Sequence, residues 1–237
     1  MSDGAARRAH EQVVAWVEDA ILEGRLTVGT RLPAERDLAT LLDVGRSAVR
    51  EAIRSLESQG VLASRVGAGA QGGTIMTAVP GQALTRLLRL HVALNRFPLS
   101  DVLEARVTLE RSSARLAALN ATPEDLAAIE EPLRVMACPG VGMVEFNQAD
   151  TKFHVAVARA SRNQLVTDMT TAIRESMRLP ILAAFGRLDA FEEFADVLVT
   201  EHQGIFDALS ARDPERAEDA IEAHIRRAYA ALPMDTH

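Results

Sequence analysis

From residue 82 to residue 231 the apolar side chains recur at three- and four-residue spacing, and no stretch alternates in twos. That period confines most of the chain to α-helices, because a half-buried strand needs a period of two. Seven helices are expected, over 82–95, 100–119, 123–136, 143–161, 163–185 with a kink before Pro180, 191–210 and 213–231. The connections are short and hold Pro or Gly, as in Ala137-Cys138-Pro139-Gly140, so neighbouring helices should reverse direction. The expected fold is therefore mainly α, with an all-α antiparallel bundle of six to seven helices here. Residues after Pro233 are expected to fray. One cysteine in 237 residues cannot form an intramolecular disulfide, which points to a reducing, cytoplasmic setting. No basic-then-apolar segment opens the chain, and its longest apolar run, 179–185, is far too short to span a bilayer. No membrane partner is expected.

The first part of the chain reads differently. Val13, Val14, Trp16, Val17 and Ile21 predict a helix over 6–23, ended by Gly24. Pro33 is expected at the first position of a second helix, with Glu35 and Asp37 in its first turn, running to about Leu42. Asp43-Val44-Gly45 breaks the pattern before a third helix over 46–58, stopped by Gly60. The β-branched runs 61–66 and 73–77, separated by glycines, predict a hairpin. Three helices then a hairpin is the order of a winged helix-turn-helix. A domain over 1–77, a linker over 78–82 marked by Pro80 and Gly81, and a helical domain over 83–232 are expected.

A net charge of −7 argues against a nucleic-acid partner, and nine aromatic residues are few for a base-stacking single-strand binder. The charge is uneven, however. Residues 25–65 hold seven Arg against five acids, whereas residues 78–237 hold 17 basic and 23 acidic residues. In the third helix Val49, Ala52, Ile53 and Leu56 share one face. Arg46, Arg50 and Arg54 stand on the other at i, i+4 and i+8, with Ser47 beside them. Three aligned guanidiniums repel one another unless an anion lies alongside. A phosphate backbone and guanine edges would supply it, since a helix fits the major groove of double-stranded DNA. A solvated Arg face offset by Glu51 and Glu57 is the plainer alternative.

The run Ile21-Leu22-Glu23-Gly24-Arg25-Leu26, then Gly29-Thr30-Arg31-Leu32-Pro33-Ala34-Glu35-Arg36-Asp37-Leu38-Ala39, then Arg46, Val49-Arg50-Glu51-Ala52, Leu56-Glu57 and Gly60 resembles the GntR family of bacterial transcription regulators. The likeness covers about residues 20–67. It implies that Arg36, Arg46, Arg50 and Gly67 contact operator DNA, with the hairpin wing in the minor groove; Ser47 and Arg54 join them as DNA-binding candidates. Two positions depart from the pattern: Gly45 stands where Ser or Thr caps the recognition helix, and Asp43 where Gly is usual. The run Gly67-Ala68-Gly69-Ala70-Gln71-Gly72 also fits G-x-G-x-x-G, but a dinucleotide site needs a helix after the glycines. Thr74-Ile75-Met76-Thr77 follows instead, a strand signal, so a wing tip is the expected reading.

In the helical part, Asp150 and His154 fall in the apolar stripe of helix 143–161, His202 in that of 191–210 and His224 in that of 213–231. A lone core histidine is most simply hydrogen-bonded. Four such residues together, one a carboxylate that is costly to bury unpaired, suggest a metal site instead. Three nitrogen ligands and one oxygen suit a divalent transition ion, zinc or nickel first. Arg106…Glu110, Asp150…Phe153-His154, Asn163, Glu201-His202 and Ala223-His224, in that order over about 100–230, resemble the FadR-like subfamily with an FCD effector domain. That likeness implies that Asp150, His154, His202 and His224 ligate a metal whose coordination a small carboxylate effector completes. Arg106 and Asn163 are effector-binding candidates. Arg106 has Glu110 at i+4 as an equal alternative partner, and for Asn163 a helix cap is the preferred reading. Cys138 beside Pro139 suggests no nucleophile.

The function these features imply is a ligand-responsive repressor, binding a palindromic operator as a homodimer because one helix reads too few bases alone. The alternative is a metal-dependent hydrolase or lyase with an accessory N-terminal module. It lacks an HExxH motif, and Glu201 and Glu222 are expected to face outward, leaving no spare general base. A regulator that senses the metal itself is a third reading.

Overall fold

The computed structural model describes residues 3–65, 73–77, 81–94 and 97–234. Two compact units divide the chain, Met1–Ala83 and Leu84–His237. Among the described residues of the first unit the order is α1 (Asp3–Leu22), α2 (Glu35–Leu41), α3 (Arg46–Ser58), β1 (Leu62–Arg65) and β2 (Gly73–Met76). Val13, Val17 and Ala20 of α1 meet Leu38 of α2 and Val49, Ala52, Ile53 and Leu56 of α3 in one core, closed by Leu62 and Met76 of the hairpin. Val14 and Trp16 cover its edge, while Ile21 is substantially exposed.

Helix α3 ends in a Schellman motif. Gly60 adopts φ +73°, and the Val61 amide donates to the Leu56 carbonyl at 3.0 Å, which turns the chain directly into β1. The same motif closes α2, where the Val44 amide donates to the Ala39 carbonyl at 3.0 Å. Its left-handed position is Asp43, at φ +50°. That geometry explains why glycine suits this position and why aspartate, which tolerates the left-handed region, replaces it.

Pro33 does not open α2. The helix begins at Glu35 with Ala34 as an extended N-cap, because the residues before it belong to the wing. The Leu32 amide donates to the Thr74 carbonyl at 2.9 Å and the Met76 amide to the Thr30 carbonyl at 2.8 Å, which adds an edge to the antiparallel β1–β2 pair. The glycine run 67–72, Gly67 included, lies outside the described residues, as do residues 78–80 of the expected linker.

The second bundle contains α4 (Gly81–Ala93), α5 (Leu99–Asn120), α6 (Pro123–Met136), α7 (Met143–Ala160), α8 (Gln164–Phe185), α9 (Phe191–Ser210) and α10 (Pro214–Ala231). Helix α4 begins within the segment 78–82 expected as linker, and α8 runs through Pro180 as one continuous element. Local chemistry sets several starts. Thr122 and Asp125 form a capping box with Pro123 at the first helical position of α6. Asn163 caps α8, and Asp213 caps α10 ahead of Pro214. Helix α7 is buried on most of its circumference, with α5, α6 and α8 packed around it, while α10 lies against α5 and α9. Beyond Pro233, where fraying was expected, Met234 still packs against the core.

Gly45 caps α3 at φ −68°, with no side chain to accept from the first turn. A Cβ added there meets only Ser47 Oγ at 3.6 Å, an ordinary contact. The Gly45→Ser variant should therefore gain a few tenths of a kcal/mol, about 0.3, as a higher melting temperature. A loss of stability would show that the turn cannot accept a side chain.

Candidate metal centre and nucleic-acid interface

Each ligand candidate occupies a place in an apolar stripe where a hydrophobic residue would ordinarily sit. On α7 the buried row runs Phe146, Asp150, His154 and Val157. On α9 it is Leu198, His202, Ile205 and Leu209, and on α10 Ala217, Ile221, His224 and Ala228. Packing these three stripes together brings one ligand atom from each of Asp150, His154, His202 and His224 within 4.8 Å of the others, all of them buried. His202 Nε2 lies 3.1 Å from Asp150 Oδ1 and 3.3 Å from His154 Nε2. The Phe153 ring closes one side, edge-on to His202 with centroids 4.7 Å apart.

The far side of each ligand is held in turn. His202 Nδ1 donates to the Leu198 carbonyl at 2.7 Å, His224 Nδ1 to Glu201 Oε2 at 2.9 Å, and His154 Nδ1 lies against Glu110 Oε2. A carbonyl or carboxylate only accepts, so the Leu198 carbonyl and Glu201 assign the protons of His202 and His224 to Nδ1 and leave a bare lone pair on each Nε2. Burial pushes His202 below its ordinary pKa, His154 adding to the effect against Asp150. Burial, then His202 and His154, push His224 well below it. His202 and His224 are therefore neutral. Burial alone would raise Asp150, but the Arg174 guanidinium and contacts from His154 and His202 hold its carboxyl well below the usual range. The lone pairs of His202 and His224 and a carboxylate facing one another repel unless a cation lies between them. The donor set fits a divalent transition ion, with outer partners of the kind that orient metal-bound histidines.

Arg174 is absent from the residues that sequence reasoning selected. It is 1 % exposed and pairs with Asp150 Oδ2, leaving Oδ1 to face the imidazoles. An arginine in the α8 row Thr170, Ile173, Met177 and Ile181 was the available signal. Arg106 donates through Nε to Glu110 Oε1 at 2.6 Å, so the i+4 partner holds this side of the guanidinium. Its other contact is the Tyr229 ring, 5.4 Å to the centroid. Glu110 thereby links Arg106 to His154 and is itself held below the usual carboxylate range, burial opposing Arg106, His154 and Arg174. Asn163 Oδ1 accepts the Val166 amide at 3.2 Å as the cap of α8.

Glu201 requires a correction. It does not face outward: it turns in to His224 and also meets Arg227, because its i+1 neighbour His202 points straight at the centre. Burial raises its pKa against the pull of Arg227. Engaged on both oxygens, it is an orienting group and not a spare base. Glu222 pairs with Arg111 and Arg226.

In the first unit Arg46, Ser47, Arg50 and Arg54 are exposed on α3, opposite its buried face, and Arg36 is exposed on α2. The Arg50 guanidinium is not free in space but bonded to Glu35 at 3.0 Å.

Two family profiles match the chain: that described as FCD domain covers residues 101–227, and that described as bacterial regulatory proteins, gntR family, covers 9–71. A protein of Escherichia coli K12 named as a candidate regulator of the L-lactate dehydrogenase operon is 32 % identical over 92 % of this chain and 84 % of its own. The Glc operon transcriptional activator of the same organism is 29 % identical over 91 % of this chain and 85 % of its own. A solved structure, Streptococcus agalactiae GntR, superposes with TM-score 0.62 at 28 % identity, over 94 % of this chain and all of that one.

Both lowered histidines titrate near 6.5 when unfolded. Their contribution to stability is complete above that pH and is lost as pH falls toward the folded values. Metal-stripped protein should lose up to about 1.4 kcal/mol per pH unit for each as pH drops below about 6.5, read from its melting temperature. A flat profile between about pH 7.5 and 5.5 would contradict neutral, buried imidazoles.

Proposed function

Because this chain belongs to the GntR family of bacterial regulatory proteins and carries an FCD domain, which makes it a transcription regulator and not an enzyme, we propose that it is a metal-containing, carboxylate-responsive repressor. The observation that carries this reading is the convergence of buried ligand atoms of Asp150, His154, His202 and His224, with His202 and His224 each oriented by a hydrogen bond on the far nitrogen. Four protein ligands complete a tetrahedral zinc but leave positions open on a five- or six-coordinate ion such as nickel, and a carboxylate is a natural oxygen donor for them. Arg174 Nε and the Tyr229 hydroxyl are buried without a hydrogen-bond partner, and Arg106 lies in the same cluster. These donors favour an anionic effector. One relative is named for an operon whose enzyme acts on L-lactate, itself a small carboxylate, and this agrees. Asn163 is left to the cap of α8.

The metal in this reading is the anchor to which the carboxylate binds. The chain's own residues orient it: Arg174 holds Asp150 with one oxygen turned inward, and Glu201 and the Leu198 carbonyl keep the protons of His224 and His202 pointing away. The DNA contacts are assigned to Arg36, Arg46, Ser47, Arg50, Arg54 and the wing at Gly67, repeated by a second copy on a palindromic operator. Two symmetric half-sites multiply the specificity that one short helix can supply. Effector binding then shifts the population of dimers able to engage both half-sites, and loss of operator occupancy relieves repression.

Elemental analysis of purified protein should find about one transition ion per chain, falling below a tenth of that in H202A and H224A. Unchanged metal content in these variants would remove the assignment. A thermal-shift screen of small carboxylates should raise the melting temperature only without chelator, since binding at 100 times Kd stabilises by about 2.7 kcal/mol. In a gel shift on duplexes that the wild type selects from a random library, the double variant R46A/R50A should lose retention with its melting temperature intact. Undiminished binding would sink the DNA assignment.

A further inference from the structure

The three arginines of α3 are not equivalent. Among the described residues no hydrogen bond or ion pair holds Arg46 or Arg54, whereas Arg50 is held by a carboxylate from another element, Glu35 at the start of α2. The contact is two-pronged: Arg50 Nη2 donates to Glu35 Oε2 at 3.0 Å, and Nε to Oε2 at 3.3 Å and Oε1 at 3.4 Å. Glu35 engages the side edge of the guanidinium, Nε and Nη2. The end edge, Nη1 with the outer hydrogen of Nη2, takes no part in this contact. Arg50 remains half exposed, its side chain at 52 % against 34 % for Glu35. The Glu35 carboxyl is held below its ordinary pKa by this hydrogen bond first, with Arg50, Arg46 and Arg54 adding their charge. It is therefore ionised wherever the protein would meet DNA.

An acid on a DNA-reading face is costly to phosphate binding, so its presence needs a reason. A guanidinium recognises guanine by two parallel bonds to O6 and N7, which requires a fixed plane and one presented edge. A freely rotating arginine finds a phosphate as readily as a base, since phosphate contacts carry no sequence information. Glu35 removes that freedom and offsets one positive charge.

We propose that Glu35 is a specificity-determining positioning residue, which locks Arg50 by its side edge so that it reads a guanine instead of clamping a phosphate. This inference rests on the assignment of α3 as the DNA-contacting helix. It separates two roles on one face: Arg46 and Arg54 are free to supply affinity, and Arg50 supplies discrimination because α2 holds it.

The test uses the full-length protein and selection from a randomised duplex library, followed by titration of the selected duplex and of a random-sequence duplex over a range of salt. The wild type should select a site with a strongly preferred G·C pair that R50A no longer prefers. Glu35→Gln keeps the shape and removes the charge; its preference at that one pair should weaken about tenfold, other positions unchanged. On random duplex it should bind more tightly, with a salt slope steeper by about one phosphate contact. Glu35→Asp keeps the charge but falls short of the side edge, so its salt slope should match the wild type while the base preference stays relaxed. If Glu35→Gln selects the wild-type site with undiminished preference while R50A does not, Glu35 plays no part in readout and the proposal falls. If R50A also keeps the wild-type site, the assignment of Arg50 to base reading falls, and the proposal with it.

Discussion

The helical bundle depends on the neutralisation of charges that it buries. Asp150 and Glu110 are 5 % and 1 % exposed, in a core that is mainly apolar. An isolated carboxylate there would take up a proton or break the fold. Each has its own arginine, Arg174 and Arg106, equally buried. The two ion pairs fix which carboxylate oxygens remain available. Asp150 keeps one for the imidazoles, and Glu110 turns its second toward His154. The ligand geometry is thus a consequence of how the buried charge is compensated. A core of this kind is poor at stabilising the fold by itself, since apolar residues of similar volume would cost less desolvation. Its retention is intelligible under the proposed reading, in which the site holds a cation and accepts an anion.

The first unit follows a different rule. Its core is wholly apolar, and its charges lie outside. What matters there is the direction of α3, fixed by Schellman closures at both of its borders and by the wing hydrogen bonds of residues 29–32. The overall acidity of the chain therefore describes the bundle and says little about the arginine-bearing face.

Much of this was legible in the residues. Helix extents followed the apolar period closely because that period is a property of the local backbone, and Gly24, Gly60, Asn163 and Asp213 ended or began elements as their local chemistry dictates. Asp150 and His154 could be placed on one face because i and i+4 always share one. The backbone that closes some of these helices was not legible. Arg162 and Arg212 adopt left-handed φ of 61° and 58° after α7 and α9, where glycine would have been the signal. Arg162 is held there by Asp125 of α6, a partner distant in sequence. Pro33 misled for the same reason: its neighbours pair with β2, and that pairing overrode the local preference for a helix start.

The sequence alone determined the kind of each element, the residues sharing each face, and the pairs four residues apart, Arg106 with Glu110 and Asp150 with His154. These follow from the repeat of the helix, which needs no knowledge of the rest of the chain. Only the tertiary structure decided that α7, α9 and α10 meet at their histidines, that Arg174 reaches Asp150 from α8, that Glu201 turns inward, and that Glu35 holds Arg50. Each joins residues on different elements. Which faces meet is settled by the packing of whole helices against one another and by the partners that buried charges must find, and neither is encoded in any local period.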